Sequence, residues 1–263
     1  MDQGNLARSL ISLKAAGLIR AFQFLILSLV FLSFIALSRA FPFFPSPFSV
    51  LGAAGALFSD GEIHSHLLVT LYETLAGFAL AILLGIWVGL VLGLSRILSE
   101  LFEPIILSGY AIPKIIFLPI LLMIFGVGIN SKIANAALHA IFPIILNTLV
   151  GIREVNRVLV KVARSMNATS GQTFTKVYFP SIVPPVFAGM RIGLGFAFLG
   201  SLLAELFEAQ RGLGFLVAHF YNTAQVAKML AVILMVFLLT ISINAGMKGM
   251  ENRLSRWRRA WRS

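Results

Sequence analysis

The sequence predicts an all-α polytopic membrane protein with six transmembrane helices, and three observations carry that prediction. Of its 263 residues, 59% are hydrophobic and 12% charged, where an ordinary soluble domain carries about 25% charged residues. Mean hydropathy is +0.94, which excludes a soluble globular enzyme and a disordered chain. Apolar runs of about 20 residues, the length a helix needs to cross a hydrocarbon core of about 30 Å, recur along the chain. No alternating segments of barrel type occur, and the Gly, Ala, Leu and Phe content suits packed helices.

The first span is expected near Ile19–Leu37. Arg8, Lys14 and Arg20 ahead of it resemble the start of a signal peptide. The following Ser38-Arg39-Ala40-Phe41-Pro42 is a poor cleavage site, so a retained helix is expected. From Arg39 to His66 runs a segment with Pro42, Pro45 and Pro47, read as a solvated loop. Its Asp60, Glu62, His64 and His66 have metal-ligand chemistry, yet loop solvation accounts for them and no metal site is expected. Further spans follow near Leu67–Leu94, Pro104–Phe125, Ile133–Gly151, Val183–Ala204 and Val226–Ala245. Pro113 and Pro119 must bend the third or open its hydrogen-bond ladder.

Lysine and arginine set orientation. Fifteen of the 21 fall on the side of the two termini, four (Arg39, Lys132, Arg211, Lys228) on the other, and Lys114 and Arg191 within spans. Both termini are therefore expected in the cytoplasm. The chain divides into a cytoplasmic tail over 1–18, a six-helix domain over 19–247 with a cytoplasmic loop at about 152–182, and a basic cytoplasmic tail over 248–263. A pI near 10.7 thus reflects membrane orientation, and no nucleic-acid partner is expected; the lipid bilayer is the partner that composition demands. Without cysteine there is no disulfide, thiol nucleophile or Cys-ligated metal.

Two spans carry stripes of small residues, which let helix backbones approach in lipid. One is Gly77, Ala81, Gly85, Gly89 and Gly93, reaching back to Glu73; the other is Gly189, Gly193, Ala197 and Ser201, reaching on to Glu205. Ionisable residues at membrane depth face a bundle interior or a watery path. Glu73, Lys114, Arg191 and Glu205 are therefore candidates for the translocation path, or for ion pairs that hold the bundle together.

The cytoplasmic loop is longer than neighbouring helices require. Val155, Val158, Leu159, Val162 and Met166 recur at helical spacing, with Arg153, Glu154, Arg157, Lys161 and Arg164 between them, which predicts an amphipathic helix ended by Asn167. Thr169 or Ser170 is placed to cap a second short helix through Phe174, Val177 and Tyr178, stopped by Pro180 and the Pro184-Pro185 pair. Such a bent pair suits docking to a protein or to anionic lipid.

Lys161-Val162-Ala163, Asn167 and Val177-Tyr178-Phe179-Pro180 reproduce the spacing of the loop signature of ATP-binding-cassette (ABC) importer permeases: Glu-Ala-Ala, three residues, Gly, nine residues, Ile-x-Leu-Pro. Of its residues, Ala163 and Pro180 match. Ala111-Ile112-Pro113-Lys114, Leu118-Pro119, Phe125-Gly126-Val127-Gly128, Ser131-Lys132, Phe142-Pro143-Ile144 with Asn147-Thr148, Gly189-Met190-Arg191 and Ala204-Glu205 with Gly212-Leu213-Gly214 follow in the order seen in permeases for nitrate, sulfonate and taurine uptake. The resemblance covers roughly residues 60–250, and Glu73 stands where that family usually has a basic residue.

The resemblance implies a type I ABC importer permease-like fold and a permease subunit that moves a small solute, such as a nitrate, sulfonate or taurine-like anion. It implies a second permease copy or close relative, separate ATPase subunits and an extracytoplasmic solute-binding protein, in a bacterial plasma (inner) membrane. The ATPase-coupling surface would include Lys161, Ala163, Arg164, Asn167, Ala168, Thr169, Ser170, Phe174 and Pro180. ATP and Mg would bind the partner; this chain has no Gly-x-x-x-x-Gly-Lys-Ser/Thr run, no catalytic residues are expected, and no cofactor of its own. A secondary transporter or channel would be expected to show internal repeats, and none relates the two halves. An intramembrane enzyme would need a catalytic motif; His139 and Ser108 stand alone.

Overall fold

The computed structural model describes residues 22, 25–26, 28–29, 32–41, 43–208 and 210–254. The tail over 1–18, much of the first expected span and the end of the basic tail lie outside them. Residues 32–40 are helical. The segment read as a solvated loop instead contains a helix, α1 (Pro47–Ser59). Pro47 occupies its first turn, where a missing N–H costs nothing, and Ser46 accepts a hydrogen bond from the Ser49 amide at 3.2 Å. Val50 and Leu57 of α1 are buried in a cluster with Leu213, Leu216, Phe220 and Val232, which is what a sequence window too short to span conceals.

After Gly61, in a left-handed turn at φ 74°, α2 runs from Glu62 to Leu94, about 50 Å at 1.5 Å per residue. Ser95 caps α3 (Arg96–Ala111), which begins ahead of the Pro104 start expected for the third span. Pro104 sits inside α3, and the chain breaks at Ile112-Pro113. A short 3-10 turn (Lys114–Phe117) then leads into α4 (Leu118–Phe125), bent 93° from α3. Pro113 makes the break, whereas Pro119 lies in the first turn of α4 and helps to start it.

The central helix α5 (Ile129–Arg153) leads through Asn156, whose side chain accepts from the Val158 amide at 2.9 Å, into α6 (Arg157–Ser165). Then come α7 (Ser170–Thr173), a π-helical turn (Phe174–Tyr178) and α8 (Phe179–Glu208). The prolines expected to stop the loop's second helix do not stop it. The π turn links the Phe179 amide to the Phe174 carbonyl and so widens the backbone just ahead of Pro180, whose ring would clash with a regular preceding turn. Pro184 and Pro185 lie inside α8, and Pro185 packs where Gly151 of α5 leaves space. The chain ends in α9 (Leu213–Asn222) and α10 (Val226–Leu254). Among the described residues four helices are long and apolar enough to cross a membrane, five if the bent α3–α4 pair counts as one span.

Helix α5 lies between the two small-residue stripes. On the α2 side, a Cβ placed on Gly77 would lie 2.6 Å from both the Ala136 Cβ and the Ile133 carbonyl oxygen. On the α8 side, one on Gly189 would lie 2.7 Å from the Asn147 Cβ and 2.9 Å from the Pro143 carbonyl oxygen. The stripes thus bring three backbones together, and Ala81, Ala136, Ala140 and Ala197 are fully buried along the seam.

Candidate functional site

One end of this seam holds a buried polar cluster. Glu73 of α2, fully buried, pairs with Lys132 of α5 at 3.1 Å. Lys132 was assigned by sequence to a connection outside the spans; α5 begins at Ile129, so its first turn carries the lysine into the bundle. Glu205 of α8 accepts from Thr70 Oγ1 at 2.7 Å and from the Gly214 amide at 2.7 Å. It lies beside Glu73. Thr70 Oγ1 also accepts from the Leu213 amide at 2.8 Å, and the Gly212 amide donates to His66 Nδ1 at 3.0 Å.

The first three amides leading into α9 thus donate to side chains of α2 and α8. A helix N-terminus exposes unpaired N–H groups and favours negative charge, and Glu205 and Thr70 supply the acceptors. Gly212 is required twice, by its φ of 119° and by the Glu205 carboxylate pressed against its Cα. One step inward, Thr74 Oγ1 and Ser201 Oγ are 2.6 Å apart. His139 donates within α5 to the Asn135 carbonyl at 2.9 Å, and Asn135 Nδ2 donates to the Gly200 carbonyl at 2.7 Å.

Of the four path candidates, the fold brings Glu73 and Glu205 together and leaves the two bases elsewhere. Arg191 pairs with Glu251 of α10 at 2.9 Å. Lys114 is buried at the α3 break, donates to the Tyr110 carbonyl at 2.9 Å, and lies 5.2 and 5.1 Å from the ring centres of Tyr110 and Phe142. Among the described residues no carboxylate pairs with it. Sequence reasoning missed Lys132, Thr70 and His66 as partners. The signal was present: continuing the α2 stripe back from Glu73 by three and then four residues reaches Thr70 and His66 on one helical face.

At the opposite end of the seam, α6 and α7 project from the bundle. Val155 precedes α6 and is buried with Ile152, Ile182 and Val186, so it anchors the loop and does not extend the helix's apolar stripe. Val158, Leu159, Val162 and Met166 are exposed, Met166 at 77%. Lys161 and Arg164 lie on another side of α6, facing a groove, and Ala163 is half-buried between. Asn167 takes the left-handed conformation at φ 55°, which asparagine tolerates better than most residues. After Ala168, Thr169 caps α7 in a reciprocal box, accepting from the Gln172 amide at 3.2 Å while Gln172 Oε1 accepts from the Thr169 amide at 2.9 Å. Ser170 is then the first residue of α7, Phe174 stacks on Tyr178 with centres 6.4 Å apart, and Pro180 lies in the first turn of α8.

Comparison with known proteins identifies the architecture. Residues 81–256 match the family described as Binding-protein-dependent transport system inner membrane component. The taurine transport system permease protein TauC of Escherichia coli (strain K12) is 31% identical over 76% of this chain and 73% of its own length. The putative aliphatic sulfonates transport permease protein SsuC of Bacillus subtilis (strain 168) is 30% identical over 82% of this chain and 79% of its own. Among solved structures, a chain of the MetNI methionine ABC transporter in an inward facing conformation superposes with a TM-score of 0.64 at 22% identity. The match covers 71% of this chain and 93% of that one, a likeness of fold. With most of its transmembrane core inside the family match and the type I importer permease fold around it, this chain belongs to the binding-protein-dependent transport system inner membrane components, the permease subunits of ABC importers.

Proposed function

We propose that this permease forms the membrane path for a small sulfonate-like or related anion, and that ATP hydrolysis in a separate subunit reaches it through α6 and α7. The observation that carries the reading is the exposed apolar side of α6. Val158, Leu159, Val162 and Met166 stand outside the bundle on a helix whose angle is set by the Asn167 turn and the Thr169 cap. A contiguous exposed apolar patch of this kind marks an interaction surface, and an apolar helix face in a partner's groove is a common way to cover it. Lys161, Ala163, Arg164, Asn167, Ala168, Thr169, Ser170, Phe174 and Pro180 form or brace this docking element. ATP and Mg belong to the docked ATPase.

The α2–α5–α8 seam is filled by small residues at backbone contact, so no solute passes through the middle of one chain. The path runs along its surface, covered by a second copy or close relative, with both termini cytoplasmic and a solute-binding protein delivering substrate from the other side. Glu73 and Glu205 are bound up in the polar cluster and Arg191 in its ion pair. Lys114, buried with no acid paired to it among the described residues, is the base best suited to meet an anion.

Two variants test the proposal in the full transporter. Val162→Asp with Met166→Asp is expected to reduce ATPase recovered with the tagged permease by about ten-fold or more while the permease stays monodisperse. Undiminished recovery would refute docking through α6. Lys114→Gln is expected to lower sulfonate uptake without loss of the ATPase; equal uptake would remove Lys114 from the path.

A further inference from the structure

We infer that the groove between α6 and the α2–α3 turn is a binding site for a phosphate-bearing anion. The groove has a volume of about 760 Å³. Five cations and two carboxylates line it, and the carboxylates are already engaged. Glu100 pairs with Arg96 at 2.8 Å, and Glu103 with Arg153 at 2.7 Å; Arg153 also donates to Ser99. That leaves Arg157, Lys161 and Arg164, which among the described residues meet no acid. Their i, i+4, i+7 spacing sets all three along one side of α6, turned to the groove, while the apolar docking residues lie on a different side.

Like charges at this spacing repel, and α6 carries no acid to offset them. Leu94, Ile152 and Val160 form apolar wall beside the cations, which are themselves exposed to solvent. A phosphate fits this arrangement better than a carboxylate, because its three or more acceptor oxygens can engage two guanidinium forks and an ammonium at once. Tyr178 adds a hydroxyl at the rim. The groove lies where α2 turns into α3, at the end of the transmembrane bundle, so the phosphomonoester headgroup of phosphatidic acid and a soluble phosphate both present the required chemistry. This inference goes beyond the docking reading but shares Lys161 and Arg164 with it, and probe binding by the permease without its ATPase separates the two.

The test uses the full-length chain with two probes, phosphatidic acid retained in mild neutral detergent and counted by native mass spectrometry, and inorganic phosphate followed by saturable 31P line broadening. The triple variant Arg157→Gln, Lys161→Gln, Arg164→Gln is expected to weaken binding of at least one probe by about ten-fold or more. Lys228→Gln, a cation over the Phe220 ring elsewhere in the fold, is expected to change neither. Loss of lipid alone assigns the site to a headgroup, and loss of phosphate alone to a soluble anion. Wild-type binding of both probes by the triple variant overturns the inference, including when that variant has lost its ATPase, since the cations would then serve a protein contact. Equal loss in Lys228→Gln overturns it too. Should the triple variant not remain monodisperse, Arg157→Gln and Arg164→Gln separately are each expected to weaken binding about three-fold, and no change in either has the same overturning force.

Discussion

The α2–α5–α8 seam and the α6–α7 loop are both built from four-residue periodicities, and they use them in opposite ways. Along the seam the repeated residues are small and covered: Gly77 and Gly189 sit at backbone contact with α5, and the charges at its end are paired or capped. On the loop the repeated residues are large and uncovered, Val158, Val162 and Met166 on one side and Arg157, Lys161 and Arg164 on another. The seam engages most of its polar groups internally, with only Glu73 Oε2 and Asn135 Oδ1 left without a hydrogen bond among its described residues, and it holds the fold. The loop leaves its apolar and basic side chains exposed, the surface proposed above for docking. Substitutions in the seam should therefore act on stability, and those in the loop on association.

The largest expected effect is at the buried ion pair. Lys132→Met leaves the Glu73 carboxyl without its base where its side chain is fully buried, and breaking a buried pair on one side costs about 3–5 kcal/mol. Thermal unfolding in detergent should show it, and adding Glu73→Gln should recover most of the loss. A double variant as unstable as the single would mean that Lys132 acts through contacts other than the pair.

Matched Gly→Ala changes sharpen the contrast. At Gly77 the new methyl group meets the Ile133 carbonyl oxygen and Ala136, so α2 and α5 must separate, with an expected cost of about 1–3 kcal/mol. At Gly171 on α7 nothing lies within 4 Å, so Ala should be neutral or stabilise by up to about 1 kcal/mol through helix propensity. Equal unfolding temperatures for the two variants would break the comparison.

The smallest expected effect is local. Thr169→Ala removes one half of the capping box and should cost about 1 kcal/mol in α7. Hydrogen exchange of the amides around 170–174 should quicken while the global transition stays put, and Thr169→Ser should restore protection. A shifted global transition would show that the loop is continuous with the seam in stability.

Much of this was legible in advance because it is written in neighbours three and four residues apart. The two small-residue stripes, the amphipathic character of α6, the Asn167 terminus and the Thr169 cap all depend on local spacing, and the helices form as that spacing dictates. Prolines were harder to read. Pro113 breaks the chain, yet Pro47 and Pro119 start helices and Pro180 follows a π turn, because the effect of a proline depends on whether the preceding turn already lacks a hydrogen bond.

By itself, then, the sequence determined that this is a helical membrane protein, which faces of its helices are small or amphipathic, and, through ordered short motifs, its likeness to importer permeases. Tertiary structure alone decided the partners. Lys132 reaches Glu73 across 59 residues and Thr70 reaches Glu205 across 135, so that one carboxylate meets a base while the other caps α9. Which side of α6 faces a groove and which faces outward was likewise decided by how Val160 settles against the Ile152, Val155, Ile182 and Val186 cluster. The physical reason is range: helix formation and facial patterning follow from interactions within one or two turns, whereas pairing a buried charge depends on which backbones the small-residue contacts allow to meet.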